Sequence, residues 1–106
     1  MDQENASKNL LVLGTAQDGG YPHTGCSENC CREAWKDSRQ KRLITSLATL
    51  SGNDCFLIDI TPDFKYQLQL IEHHINEKPR ISGICITHAH LGHYMGLMEL
   101  GLEVMN

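Results

Sequence analysis

Three histidines within six positions, at the point where an apolar run stops, constrain this chain more than any other feature. The stretch is Ile84-Cys85-Ile86-Thr87-His88-Ala89-His90-Leu91-Gly92-His93-Tyr94-Met95-Gly96-Leu97. Its short β-branched start reads as a buried strand, and the glycine-containing pattern after it as a helix. Half of the chain's six histidines sit here. Two residues apart on extended backbone, His88 and His90 project to one side. His93 falls where the helix begins, so a third imidazole can turn back toward the pair. Imidazoles converging at a strand end suit a borderline-soft divalent cation, zinc first. A lone strand-end histidine is usually only hydrogen-bonded, and an H-x-H pair alone is a weak signal. The complete string T-H-A-H-x-x-H-x-x-G between strand and helix makes a metal site the favoured reading.

The remaining bounds are broad. One hundred and six residues suit one small domain, and a formal net charge of -4 with no Lys/Arg stripe gives no sign of a nucleic-acid partner. The densest basic run, Arg39-Gln40-Lys41-Arg42, reads as a solvated loop. The first nine residues are polar, and no apolar run reaches the length of about 20 that spans a bilayer. A cytoplasmic protein without a membrane partner is expected. Five cysteines, three of them at 26, 30 and 31, then point to metal or buried thiols before disulfides.

In chain order, residues 1–8 read as a loosely held start, and Leu10-Leu11-Val12-Leu13-Gly14 as a strand. The glycine-rich loop Thr15 to Gly25 follows; its spacing fits neither nucleotide-binding glycine motif. Glu28 to Ser38 reads as a short helix with Ser27 as N-cap and with Ala34 and Trp35 inward. Leu43–Leu50 and Cys55–Ile60 read as a hairpin around Ser51-Gly52-Asn53-Asp54. Phe64, Leu68, Ile71 and Ile75 mark one face of a helix, which Thr61 or Asp63 would cap. His73 and His74 at its end suit the helix dipole and are not taken as ligands. Ile81–Thr87 is the strand that delivers His88, and Tyr94–Leu102 the next helix. Cys55 and Cys85, both in apolar strands, are expected in the core.

The histidine string resembles the H-x-H-x-D-H signature of metallo-β-lactamase-fold hydrolases. His88, His90 and His93 match it, and Gly92 stands where that family has Asp. The string Leu-Gly-Thr-Ala-Gln-Asp-Gly-Gly-Tyr-Pro narrows the likeness to the pyrroloquinoline-quinone biosynthesis protein B family and the related phosphonate-pathway cyclic phosphodiesterases. The implied fold class is α/β, the N-terminal half of an αββα sandwich. Residues 1–106 would then be a partial domain truncated before its C-terminal half, marginal alone and prone to associate with a second copy. In the family, the first two histidines and a later one hold one metal; the Asp and following His, with downstream ligands, hold the second. The resemblance therefore implies a site on His88 and His90, with His93 toward a second ion. Asp59, after a strand as in the family's I-D-x-G, would support the site from behind.

Relatives carry C-x-C-x-x-C after the glycine-rich loop, holding structural zinc. Here Cys26 and Cys31 take the outer positions, Glu28 the middle one, and Cys30 is extra. Cys26, Cys30 and Cys31 could supply three thiolates, although adjacent residues on a helix diverge by about 100°. His23 is an outside candidate. The expected cofactor is zinc, one or two ions, with iron or manganese as alternatives.

The resulting expectation is a hydrolase in which hydroxide held at a metal attacks a phosphodiester, lactone or amide-type centre of a small molecule. Cofactor maturation, as in the quinone-biosynthesis family, is one rival. A non-catalytic metal-binding remnant is the other.

Overall fold

A computed structural model describes residues 8–101. Of the loose start expected over residues 1–8, residues 1–7 lie outside them, as do residues 102–106, while Lys8 already belongs to the first strand. Strand β1 (Lys8–Gly14), helix α1 (Asn29–Lys36), strands β2 (Ser46–Ser51) and β3 (Asp54–Ile58), helix α2 (Phe64–Ile75), strand β4 (Arg80–Cys85) and helix α3 (Leu91–Tyr94) follow in order. The strands form one sheet in the order β1-β2-β3-β4. The first three run antiparallel, and β4 lies parallel to β3. The hairpin forms where the turn signal placed it. Ser51 pairs with Asp54, and Gly52 takes a φ of 60° that a side chain would resist.

One face of the sheet is covered. Phe64 and Ile71 of α2, with Leu68 and Ile75 partly buried, pack on Leu13, Ala48, Leu50, Cys55 and Leu57. That is the helix face read from the spacing. Gln67 is buried on the same face. Its amide donates to the Ile44 carbonyl at 2.6 Å, and its oxygen accepts the Thr61 hydroxyl at 2.8 Å. The helix start is more divided than expected. Thr61 Oγ1 accepts the Asp63 N–H, while the Asp63 carboxylate accepts the Ile44 N–H at 2.9 Å. Asp63 is the N-cap residue, as expected, but its carboxylate ties the entry to β2 onto α2 and makes no capping bond.

Several expectations are corrected. Strand β2 begins at Ser46, because Leu43–Thr45 bonds to the loop after β1: Thr15 and Ala16 N–H both reach the Leu43 carbonyl. Gly14 permits this approach, since a Cβ there would meet Ile44 O at 2.1 Å. Helix α1 buries Cys31 and Ala34, three apart, so Trp35 turns outward and is 56% exposed. Its indole N–H donates to the Cys26 carbonyl at 2.6 Å. The N-cap of α1 is Glu28, not Ser27, without a side-chain bond. The helix expected over 94–102 is one α-turn, Leu91–Tyr94, followed by a 3-10 segment, Met95–Leu100. Its expected last residue lies outside the described range.

Cys55 is buried and Cys85 exposed. Strand β4 is an edge strand of the described sheet, and its residues are at best half-buried. The strand read as buried therefore has one open side. Leu10, Val12 and Phe56 line the same uncovered face, each more than two-fifths exposed. Among the described residues, no helix is long and apolar enough to cross a membrane.

Candidate metal centre

Asp59 anchors the centre. It follows β3 and takes a φ of 66°, a left-handed conformation that costs a non-glycine residue energy and persists only where neighbours enforce it. Here they do. Its N–H donates to the Cys85 carbonyl at 2.7 Å, and its carbonyl accepts the Ser46 hydroxyl at 2.9 Å. The strained backbone turns the carboxylate under the end of β4. Asp59 Oδ1 accepts the Thr87 N–H at 2.7 Å, and Oδ2 accepts the Thr87 hydroxyl at 2.8 Å. Oδ2 also meets His93 Nδ1 at 2.6 Å. The residue is only 4% exposed. Burial alone would raise this carboxyl's pKa; the bonds from Thr87 and His93 overcome it and hold the group below its ordinary value.

The network also fixes which imidazole nitrogens are free. Asp59 has only acceptors, so His93 carries its proton on Nδ1. The Thr87 hydroxyl donates to Asp59 and can therefore only accept from His88 Nδ1, 3.1 Å away. In these tautomers the Nε2 of each ring carries no proton and is left to partners outside this network. The His88 ring lies 3.9 Å from His93 and 4.7 Å from His90, centroid to centroid. The three rings wall a cavity of about 430 Å³ with His23, Thr45 and the loop Ala16–Gly19.

The segment carrying His93 is docked by backbone. Ile60 N–H donates to the His93 carbonyl, and Gly96 N–H to the Ile60 carbonyl, both at 3.0 Å. This places His93 beside Asp18 as well as Asp59. Asp18 Oδ1 lies 3.2 Å from His93 Nε2. Asp18 was not among the residues singled out from the sequence. The signal that could have found it was an acid in the loop after β1, in a chain whose histidine string lacks its own.

The thiols form a second cluster. Cys26, Cys30 and Cys31 have sulfurs within 4.8 Å of one another, and Cys26 and Cys30 Sγ are 3.8 Å apart. Zinc–sulfur bonds of about 2.3 Å at a tetrahedral angle require sulfurs about 3.8 Å apart. Cys26 and Cys30 have that spacing, and Cys31, adjacent to Cys30, still keeps its sulfur within 4.8 Å of both. Hydrogen bonds, first from the Cys31 thiol and then from the Glu28 N–H, lower the Cys26 pKa; the Cys26 thiol raises that of Cys30. His23 N–H donates to Cys31 Sγ at 3.3 Å, but its ring lines the histidine cavity instead. Among the described residues, the thiols are the trio whose donor atoms gather this tightly; the three imidazoles crowd by their rings without meeting that spacing.

No family model matches the sequence. The chain is 29% identical over 99 residues to coenzyme PQQ synthesis protein B of Xanthomonas axonopodis pv. citri, covering 86% of this chain and 33% of that protein. It superposes on zinc-bound PqqB from Methylobacterium extorquens with a TM-score of 0.71 at 29% identity, over 90% of this chain and 34% of that one. A diphosphatase of the PhnP family gives a TM-score of 0.68 at 32% identity, over 88% and 34%. The chain spans about a third of the length of these relatives. The four-stranded sheet with its helices, the histidine string and these likenesses agree: the chain has the N-terminal half of the metallo-β-lactamase fold, in the form shared with PqqB and the PhnP family.

Proposed function

We propose that this chain supplies the cation-holding part of a metal-dependent hydrolase of small phosphoesters, with zinc as the cation. The observation that carries the reading is the Asp59 network, which holds His93 directly and His88 through Thr87 by their Nδ1 atoms and leaves both Nε2 atoms outside it, with the rings lining one cavity. When bound, such a cation lowers the pKa of water toward about 7 and polarises the ester. His88 and His90 hold it, and His93 adds a third imidazole. Asp59 and Thr87 fix ring orientation and tautomer. The loop Ala16–Gly19 and His23 wall the side from which a small substrate enters. The likeness to a PhnP-family diphosphatase favours phosphoesters over lactones and amides. Zinc at Cys26, Cys30 and Cys31 would be structural, tying the loop after β1 to α1.

The test is metal-dependent turnover of a phosphodiester and diphosphate panel by the complete protein. His88→Ala and His90→Ala should each abolish it; unchanged turnover in either would reject the reading. A second reading, cofactor maturation, rests on the identity to coenzyme PQQ synthesis protein B. Iron after anaerobic purification, with oxygen uptake and no hydrolysis, would favour it.

A further inference from the structure

Position 92 has no side chain, but its side-chain space is filled. A Cβ built on Gly92 would lie 2.4 Å from Asp18 Cγ and 2.5 Å from Asp18 Oδ1. The carboxylate that the histidine string lacks is therefore present at that place, delivered from the loop after β1. We propose that Asp18 is the carboxylate ligand of the cation site, standing in for an acid at position 92. This rests on the metal reading above and deepens it.

Two further observations support the assignment. First, Asp59 holds His93 by Nδ1, and Nε2, an acceptor in that tautomer, faces the Asp18 carboxylate. Two acceptors 3.2 Å apart repel unless a second proton or a cation lies between them. Ligands each about 2.0–2.1 Å from a tetrahedral zinc sit about 3.3 Å apart, so the observed separation, which an ion pair also gives, accommodates one edge of a coordination shell. Second, the loop is held at both ends. The Thr45 hydroxyl donates to the Ala16 carbonyl at 2.8 Å, Gly20 N–H to the Gln17 carbonyl at 2.7 Å, and Tyr21 and Arg42 exchange backbone bonds. Asp18 is thus presented by fixed backbone. Gly92 and Asp18 make one solution: a side chain at 92 and a carboxylate from 18 cannot share the space.

The test is zinc titration by calorimetry into the metal-free full chain carrying Cys26→Ser, Cys30→Ser and Cys31→Ser, which removes the thiol site. In this background Asp18→Asn should weaken zinc binding by at least about tenfold, with an unchanged thermal melt in the absence of metal. Gly92→Asp alone should also weaken it, by displacing Asp18. Asp18→Gly combined with Gly92→Asp should recover most of the affinity lost by Asp18→Gly. Unchanged affinity in Asp18→Asn, with binding lost in His88→Ala, would overturn the assignment and leave the metal reading standing. No recovery in the exchanged pair would overturn the substitution of one acid for the other. A parent chain that takes up no zinc would overturn both.

Discussion

Asp59→Ala is expected to cost about 3 kcal/mol of stability and to disorganise the histidine cluster. The change strands the Thr87 N–H and the His93 Nδ1–H, both now bonded to a carboxylate that is almost fully buried. It also removes the bonds that hold a left-handed residue in place. For a domain of this size the loss is a fall in Tm of more than about 10 °C. Asp59→Asn separates structure from chemistry. Its amide has the same size, but one end must now point N–H donors at Thr87 or His93. A His93 that answers by accepting at Nδ1 carries its proton on Nε2, where a cation would bind. The expected result is a fold near that of the parent with metal affinity about 10–100-fold weaker. Thermal melts and zinc titrations of the two variants check this; equal affinity in Asp59→Asn and parent would deny Asp59 its orienting role. Acid should act in the same direction. The folded Asp59 carboxyl lies below its ordinary value of 3.8, so its contribution is complete above that pH and is lost as pH falls through the lower folded value.

Gly96→Val is expected to be comparably damaging for a different reason. A Cβ at 96 would meet Thr61 O at 2.3 Å and Ile60 Cγ1 at 2.7 Å. Backbone oxygen cannot yield as a flexible side chain would. The segment from His93 to Gly96 must lift, breaking its two bonds to Ile60. Overpacking of this kind costs about 1–3 kcal/mol, and here it also withdraws His93 from Asp59. Gly25→Ala is the control. Gly25 has a φ of 78° with nothing within 4 Å, so only a backbone penalty of about 1–2 kcal/mol applies. Denaturant midpoints should rank parent, Gly25→Ala, then Gly96→Val. The reverse order would mean that the segment is not docked on Ile60 in solution.

The contrast between these glycines shows what the sequence could reveal. Local pattern sufficed for the hairpin at Gly52, for the α2 face through Phe64 and Ile71, and for the histidine string after β4. Each depends on residues close together in the chain. Partnerships between distant segments were less legible. Asp18 and Gly92 are neighbours only because β1 and β4 both deliver their ends to one side of the sheet. Gln67 has the spacing of the buried α2 face, but the Ile44 carbonyl that satisfies its amide comes from a distant segment. Trp35 reads as inward beside Ala34, whereas an eight-residue helix lying on the surface buries a narrow stripe, Cys31 and Ala34. Cys85 has the apolar context of a core strand, but the face beside it is open.

The most direct test of the histidine centre is zinc counting by mass spectrometry on three proteins: the full chain, its Cys26→Ser, Cys30→Ser, Cys31→Ser variant, and that variant with His88→Ala and His90→Ala added. Two ions, one ion and none per chain are the expected values. A cysteine-free cluster that holds no zinc, or an ion that survives removal of both histidines, would contradict the assignment of His88 and His90 as ligands.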